Sequence, residues 1–165
     1  MEIGGRADVG RPAVTIRRAG ERDLATLREL WEECAQELAV WRRVPWTWTW
    51  QDVAPRLQNA GIFLAEAGGR PVGFVIGSRS RADIGHVEEL YVRPSYRGSG
   101  VATRLLHALM SAFRERGVLH VALDVDTGNA AAEQLYSGLG FTPYAERLSA
   151  DVGRLERSLE ERLGP

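Results

Sequence analysis

The stretch EELYVRPSYRGSGVAT, residues 88–103, joins an apolar strand pattern to a strongly amphipathic helix pattern through a glycine-containing turn. Gly98 and Gly100 have no Cβ, so the backbone N–H groups of the turn can come close to a ligand. The first turn of the following helix adds N–H groups without intrahelical partners and the positive end of the helix dipole. Arg97 places a cation at the same end. The stretch therefore predicts a turn that binds phosphate or pyrophosphate.

Apolar patterns on both sides of this stretch predict an α+β fold with helices on the faces of a sheet. Gly68-Gly69-Arg70 indicates a hairpin between two strands. The predicted strands cover 14–16, 62–67, 71–78, 86–92, 118–126 and 141–148, and the predicted helices cover 21–39, 52–59, 101–116 and 130–139. Residues 152–163 fit either a helix or a strand.

The composition is that of one ordinary globular domain, with 165 residues, 44% of them apolar and 26% charged. We expect residues 1–12, rich in glycine, to form a flexible leader, and residues 13–165 to form a single domain. No apolar run reaches the roughly 18 residues of a membrane span, and no signal-peptide pattern follows Met1. We therefore expect a cytoplasmic protein without membrane contact. A net charge of -1 gives no reason to expect nucleic acid as a partner.

Two residue counts exclude several kinds of chemistry. Cys34 is the single cysteine, so an internal disulfide and a cysteine-based metal site are excluded. Its place on the apolar side of a predicted helix indicates a small buried side chain. Lysine is absent, which excludes a Schiff base and a phosphate-loop lysine. Three scattered histidines give no metal-ligand spacing, so we expect no metal.

The motifs in this order resemble the GNAT acetyltransferase superfamily over roughly residues 14–148. Arg97–Ala102 matches the family's Gln/Arg-x-x-Gly-x-Gly/Ala signature, and Glu89–Val92 matches the Glu-Leu-Tyr-Val strand before it. Asn129, Tyr136 and the run Leu139-Gly140-Phe141 match a later family pattern. The resemblance implies a mixed, mostly antiparallel sheet of six to seven strands flanked by about four helices.

The resemblance also implies acetyl-CoA as co-substrate and places its binding residues. The loop that matches Arg97–Ala102 binds the pyrophosphate through main-chain N–H groups, and the hydroxyl of Thr103 adds a further contact. The strand that matches Leu90–Val92 pairs its backbone with the pantetheine arm, and Asn129 contacts the same arm. The implied cofactor-binding residues are Leu90, Tyr91, Val92, Arg97, Gly98, Ser99, Gly100, Val101, Ala102, Thr103 and Asn129.

Acetyl transfer to an amine needs a group that accepts the ammonium proton and a group that protonates the leaving thiolate. The resemblance places Tyr136 near the thioester sulfur, where a phenol suits the second role. Glu89 and Asp124 are the two leading candidates for the first role, and Glu88 is a third. Glu88 points away from Glu89 in a regular strand, and a bulge would change this. His86 is a further candidate for assisting at the end of its strand.

Other functions and the acceptor are left open by the sequence. One alternative is a regulatory module that binds coenzyme A without turnover, and another is a dinucleotide-binding domain. The latter lacks the third glycine of its fingerprint, since Thr103 stands there. The acceptor is expected to be a primary amine of a small molecule or a peptide. The tryptophans of segment 41–50 fit an acceptor wall, the core or a homodimer contact equally well.

Overall fold

The computed structural model describes residues 13–40, 50–54, 61–145 and 151–163. These residues fall into two compact units, the first ending at Asp124 and the second beginning at Val125. The first unit contains β1 (Val14–Arg18), α1 (Leu24–Leu38), α2 (Trp50–Val53), β2 (Gly61–Ala67), β3 (Arg70–Arg79), β4 (Ile84–Val92), α3 (Val101–Glu115) and β5 (His120–Leu123). The second unit contains α4 (Ala130–Gly138) and α5 (Val152–Leu163).

The first unit is built on a five-stranded sheet in the order β1-β2-β3-β4-β5. The first three pairings are antiparallel, and β4 pairs with β5 in parallel. Gly68 and Gly69 form the turn between β2 and β3 with φ values of 57° and 76°, a region that glycine adopts without strain. Helix α3 connects β4 to β5, as a parallel pair requires. The fold is thus the expected mixed, mostly antiparallel α+β sheet.

Helices α1 and α3 cover opposite faces of this sheet. Leu27, Leu30 and Trp31 of α1 form a buried cluster with sheet residues that include Phe74 and Ile76. A Cβ placed on Gly77, the next residue of β3, would lie 2.7 Å from atoms of Leu109 and Phe113 on α3. Successive residues of a strand point to opposite faces, so each helix packs on its own side.

The described residues contain five strands, and the expected six to seven are not confirmed. The predicted strand over 118–126 is shorter than expected, since β5 ends at Leu123. Residues 141–145 of the predicted strand over 141–148 are not in a strand, and the rest lie outside the described residues. Residues Val152–Leu163 form a helix, which decides between the two patterns. Within the described ranges four helices have nine or more residues, in agreement with the expected number of about four, and α2 adds a single turn.

Several expectations fall on residues outside the described ranges. The proposed leader over 1–12 is one of them, and most of the tryptophan segment 41–50 is another. Trp50 is described, and its ring lies 6.2 Å from that of Trp31, centroid to centroid. Trp50 therefore packs against the α1 core. None of the described helices is long and apolar enough to cross a membrane.

A buried ion pair ties β1 to the start of α1. The Arg17 guanidinium donates hydrogen bonds to both carboxylate oxygens of Asp23, at 2.7 and 2.9 Å, and also to Glu66. Asp23 is 5% exposed, and the hydrogen bonds from Arg17 lower its pKa from 3.8 to about 2. A carboxyl with a lowered pKa in the folded state stabilises the fold only while it is ionised.

Asp23→Asn should therefore lower the free energy of unfolding at pH 7 by about 2 kcal/mol. The contribution of Asp23 is complete above its ordinary pKa of 3.8 and is lost as the pH falls toward about 2. Urea unfolding of both proteins at pH 7 and near pH 2 measures this difference. An equal gap between variant and wild type at the two pH values would contradict the assignment.

Candidate functional site

Strands β4 and β5 separate at one edge of the five-stranded sheet. Their parallel pairing runs from Ile84↔His120 to Val87↔Leu123 and stops there. Strand β5 ends at Leu123, whereas β4 continues to Val92 and keeps its pairing with β3 through Val92↔Gly73. Among the described residues, no strand lies beside the second edge of β4 beyond Val87. We call this region the splay. Its backbone can pair with an extended ligand in place of a strand.

A β-bulge lies at the point where the splay begins. Gly77 of β3 pairs with Val87 and Ile76 pairs with Glu89, so Glu88 is an extra residue in β4. The side-chain hydroxyl of Ser78 on β3 donates a hydrogen bond to Glu88. Because of the bulge, Glu88 and Glu89 do not simply alternate between the faces. The sequence left open whether β4 is regular at this point, and the structure shows that it contains a bulge.

The turn after β4 has the geometry that its glycines predict. Gly98 and Gly100 have φ values of 73° and 77°, and Gly100 is the N-cap of α3. The first backbone bond of α3 runs from Arg104 N to Gly100 O at 3.1 Å, so the N–H groups of Val101–Thr103 have no partner within the helix. Ser99 is held by its own hydroxyl, which donates to Tyr96 O at 2.7 Å. These amides are the kind of donors that the predicted anion site requires.

The Arg97 side chain is bound to the protein around the turn. Its guanidinium donates to Glu37 on α1 and to Val92 O, both at 2.7 Å, and lies 5.7 Å from the centre of the Tyr91 ring. The hydrogen bond that Arg97 donates to Glu37 is the main reason that the pKa of Arg97 is raised. The sequence predicts that Arg97 is a cation for a bound anion. The structure shows that its guanidinium also connects the turn to α1 through Glu37.

A second arginine, Arg93, ties the end of β4 to the same helix. It donates to Glu33 at 2.7 and 3.0 Å, to Glu29 at 2.8 Å and to Pro71 O at 2.8 Å. Glu33 also accepts the Tyr91 hydroxyl at 3.2 Å. Burial, followed by the charge of Glu33, raises the pKa of Tyr91 to about 12, so this phenol is a poor proton donor.

Three titratable side chains meet at the start of the splay. Glu88 on β4 and Asp124 just beyond the end of β5 each directly follow the last β4–β5 pair. His86 lies between them, with Nδ1 3.6 Å from Glu88 Oε2 and Nε2 3.7 Å from Asp124 Oδ2. The Asp124 side chain is 55% exposed and that of His86 is 25% exposed. The structure therefore brings Asp124 together with Glu88 and His86.

Glu89 lies beside a different partner. Its Oε2 is 3.9 Å from the Cys34 sulfur on the buried side of α1. Cys34 is 3% exposed, which confirms the small buried side chain expected from the sequence. The thiol nevertheless packs next to a candidate proton acceptor, a contact that helix periodicity alone could not reveal.

Two further candidates, Asn129 and Tyr136, lie in the second unit. Asn129 is the N-cap of α4, and its Oδ1 accepts a hydrogen bond from Ala132 N at 3.2 Å. The cap uses the amide oxygen, and the amide nitrogen remains a donor for a ligand. The Tyr136 ring is half-buried and packs edge-on against Phe141, with centroids 5.6 Å apart.

The sequence analysis did not predict the ion pairs between α1 and the two arginines Arg93 and Arg97. Glu29, Glu33 and Glu37 recur every four residues and form an acidic stripe on α1. That spacing is the signal that could have pointed to a basic partner. Within the described ranges, no group of three or more His, Cys, Asp or Glu side chains is arranged to hold a metal ion.

A family model described as Acetyltransferase (GNAT) family matches residues 24–141. Among curated relatives, a mycothiol acetyltransferase of Thermobispora bispora is 41% identical over 107 residues, covering 58% of this chain and 36% of that protein. An uncharacterised N-acetyltransferase of Methanocaldococcus jannaschii is 29% identical over 136 residues, covering 77% of this chain and 60% of that one. The chain thus spans about one to two thirds of the length of these relatives.

Solved structures share the fold at lower identity. An aminoglycoside N-acetyltransferase AAC(6')-Iy in complex with CoA has a TM-score of 0.67 and 22% identity, covering 88% of this chain and 97% of that one. A ribosomal-protein-alanine N-acetyltransferase from Brucella melitensis has a TM-score of 0.68 and 24% identity, covering 84% and 99%. These likenesses show the fold.

Proposed function

The chain belongs to the acetyltransferase (GNAT) family, and on that premise we propose that it transfers acetyl directly from acetyl-CoA to a primary amine of a small molecule or peptide. The splay and the glycine turn carry this proposal, because the chain runs directly from the unpaired edge of β4 into the turn that precedes α3. An extended ligand arm along β4 would have its anionic end at the N-terminus of α3. Pantetheine and pyrophosphate have this arrangement in coenzyme A.

In this proposal each part of the cofactor is bound by a different group. The turn from Arg97 to Ala102 binds the pyrophosphate through main-chain N–H groups, and Thr103 adds its hydroxyl. The backbone of Leu90–Val92 pairs with the pantetheine arm. The Asn129 side chain donates to the same arm from its amide nitrogen. The positive charge of Arg97, which is held beside Glu37, attracts the pyrophosphate.

The proposed chemistry needs no covalent enzyme intermediate. A carboxylate, Glu89 or Asp124, assists loss of the ammonium proton, and the neutral amine attacks the thioester carbonyl. A backbone N–H at the splay stabilises the oxyanion. Tyr136 donates its phenolic proton to the leaving thiolate of coenzyme A. Tyr91 is a poor acid, because burial and then the charge of Glu33 raise its pKa to about 12.

Cys34→Ala should retain most of the acetyl-transfer rate, because transfer is direct and the thiol is 3% exposed. Intact-protein mass spectrometry after incubation with acetyl-CoA, together with steady-state rates, checks this expectation. A stable acetyl adduct on Cys34, with loss of turnover in the variant, would establish a covalent route instead.

Calorimetric titration of the folded protein with acetyl-CoA, and separately with NAD, tests the cofactor assignment. We expect binding of acetyl-CoA and no measurable binding of NAD. Tight NAD binding would support the dinucleotide-binding alternative. Acetyl-CoA binding without thiol release for any amine would support a coenzyme A-binding regulatory module.

The tryptophan segment bears on the acceptor. Trp50 packs against the core, and the other tryptophans of segment 41–50 retain their candidate roles as acceptor wall, core or homodimer contact. The cytoplasmic location is proposed from the sequence alone.

A further inference from the structure

We infer that Glu33 of α1 is a positioning residue for coenzyme A, because it fixes the edge of β4 along which the pantetheine arm binds. This inference rests on the proposed use of acetyl-CoA and adds a residue outside the glycine turn and the splay. It is carried by three hydrogen bonds that Glu33 accepts, one from Tyr91 on β4 and two from Arg93 directly after β4.

The backbone of β4 alternates between its two edges. Arg93 N donates to Val72 O of β3 at 2.9 Å, so the backbone of Arg93 faces β3. Neighbouring residues in an antiparallel pair direct their N–H and C=O groups to opposite edges, so those of Val92 face the splay. In agreement, Val92 O accepts a hydrogen bond from Arg97 Nε at 2.7 Å. The outward groups that remain for a ligand arm are the N–H of Val92 and both backbone groups of Leu90, two residues earlier.

Glu33 holds the residues on either side of Val92. Its Oε1 and Oε2 accept from the Arg93 guanidinium at 2.7 and 3.0 Å, in the forked geometry of a strong arginine–carboxylate pair. Its Oε2 also accepts the hydroxyl of the buried Tyr91 at 3.2 Å. The hydrogen bonds from Arg93 lower the pKa of Glu33, so the carboxyl stays ionised and keeps accepting. These bonds fix Tyr91 and Arg93 against α1, and with them the backbone of Val92 between them.

The splay edge of β4 depends on such support. Among the described residues, β3 is the strand that pairs with β4 beyond Val87, and it does so from the opposite edge. Hydrogen bonds weaken steeply when their angles become poor, so a small rotation of the edge lowers the affinity for a paired arm. The glycine turn is connected to α1 by a different pair, Arg97 with Glu37. Loss of the Glu33 bonds should therefore affect the arm and spare the turn.

Glu33→Gln tests this role, and Glu32→Gln is the matched control. Glutamine keeps the size of the side chain and removes its charge, and Arg93 retains Glu29 as an ionic partner. Glu32 is the neighbouring residue of the same helix, and its partner in the structure is Arg28 on the exposed side of α1. Both variants therefore lose one helix carboxylate, and Glu33→Gln alone changes the contact with β4.

Two ligands separate the edge of β4 from the glycine turn. Coenzyme A consists of 3′-phospho-ADP joined to pantetheine, so 3′-phospho-ADP contains the pyrophosphate without the arm. Calorimetry measures the Kd of both ligands for each protein. We expect Glu33→Gln to weaken binding of coenzyme A about tenfold and to leave binding of 3′-phospho-ADP unchanged. Glu32→Gln should match the wild type with both ligands.

Tyr91→Phe gives a second and milder test. It removes the hydroxyl that donates to Glu33 and keeps the buried ring. We expect about a threefold loss of affinity for coenzyme A, since Glu33 keeps both bonds from Arg93, and none for 3′-phospho-ADP. If thermal unfolding shows that Glu33→Gln does not fold, wild-type affinity for coenzyme A in Tyr91→Phe would overturn the inference.

The remaining outcomes separate this inference from the proposed function. A folded Glu33→Gln protein that binds coenzyme A as the wild type does, or that loses affinity equally for both ligands, would show that Glu33 does not position the arm. A wild type that binds coenzyme A but acetylates no amine would contradict the proposed transfer and leave the role of Glu33 intact, because these measurements need no turnover.

Discussion

Tyr136→Phe should lower kcat about 100-fold while acetyl-CoA still binds with its normal affinity. The substitution removes one hydroxyl and keeps the ring that packs edge-on against Phe141. Helix α4 should therefore stay folded, since its N-cap at Asn129 is also untouched. Without the phenolic proton, the thiolate must leave unprotonated or wait for water. Steady-state kinetics measures kcat, and calorimetry on the same preparation measures the affinity for acetyl-CoA.

Tyr144→Phe is the control for this experiment, because Tyr144 belongs to the same unit and is 83% exposed. We expect it to match the wild type in both measurements. A Tyr136→Phe protein that turns over at the parental rate would remove Tyr136 from the mechanism and leave the cofactor site unaffected.

Gly100→Val should weaken acetyl-CoA binding tenfold or more, about 1.4 kcal/mol. Gly100 has φ of 77° and caps α3, a conformation that valine adopts only with strain of about 1–3 kcal/mol. Relief of that strain would move the N–H groups of the turn, and the branched side chain would stand where the pyrophosphate approaches. Titration calorimetry on the folded variant measures the loss.

Gly117→Val separates the loss of the anion site from general destabilisation. Gly117 lies just beyond the other end of α3 with φ of 75°, so valine there meets a similar backbone penalty. Both variants should lose stability to a similar degree in thermal unfolding, and only Gly100→Val should lose affinity. Equal affinities in the two variants would mean that the turn does not bind the cofactor.

Local patterns predicted the parts of this fold that depend on local chemistry. The hairpin at Gly68-Gly69, the turn at Gly98–Gly100 and helix α3 each follow from glycine conformation or from apolar periodicity. The predicted strands over 118–126 and 141–148 were wrong in extent where the structure describes them, because an apolar run cannot show whether a neighbouring strand continues to pair. Strand β5 ends where its partner diverges, at Leu123.

The candidate site was less predictable because it depends on register. The sequence named Glu88, Glu89, Asp124 and His86, yet only the bulge and the last pair, Val87↔Leu123, show which of them meet. The attachment of Arg97 to Glu37 joins residues 60 positions apart and has no local signal. Whether Tyr136 and Asn129 serve the roles that the family resemblance implies stays a prediction.

The most direct test of acetyl transfer by this chain is thiol release from acetyl-CoA across a panel of primary amines and peptides, with the products identified by mass spectrometry. We expect at least one amine to give release that requires both substrates, with one acetylated amine formed for each thiol released. Thiol release without an acetylated amine, or no release with any amine despite bound acetyl-CoA, would contradict the proposed function.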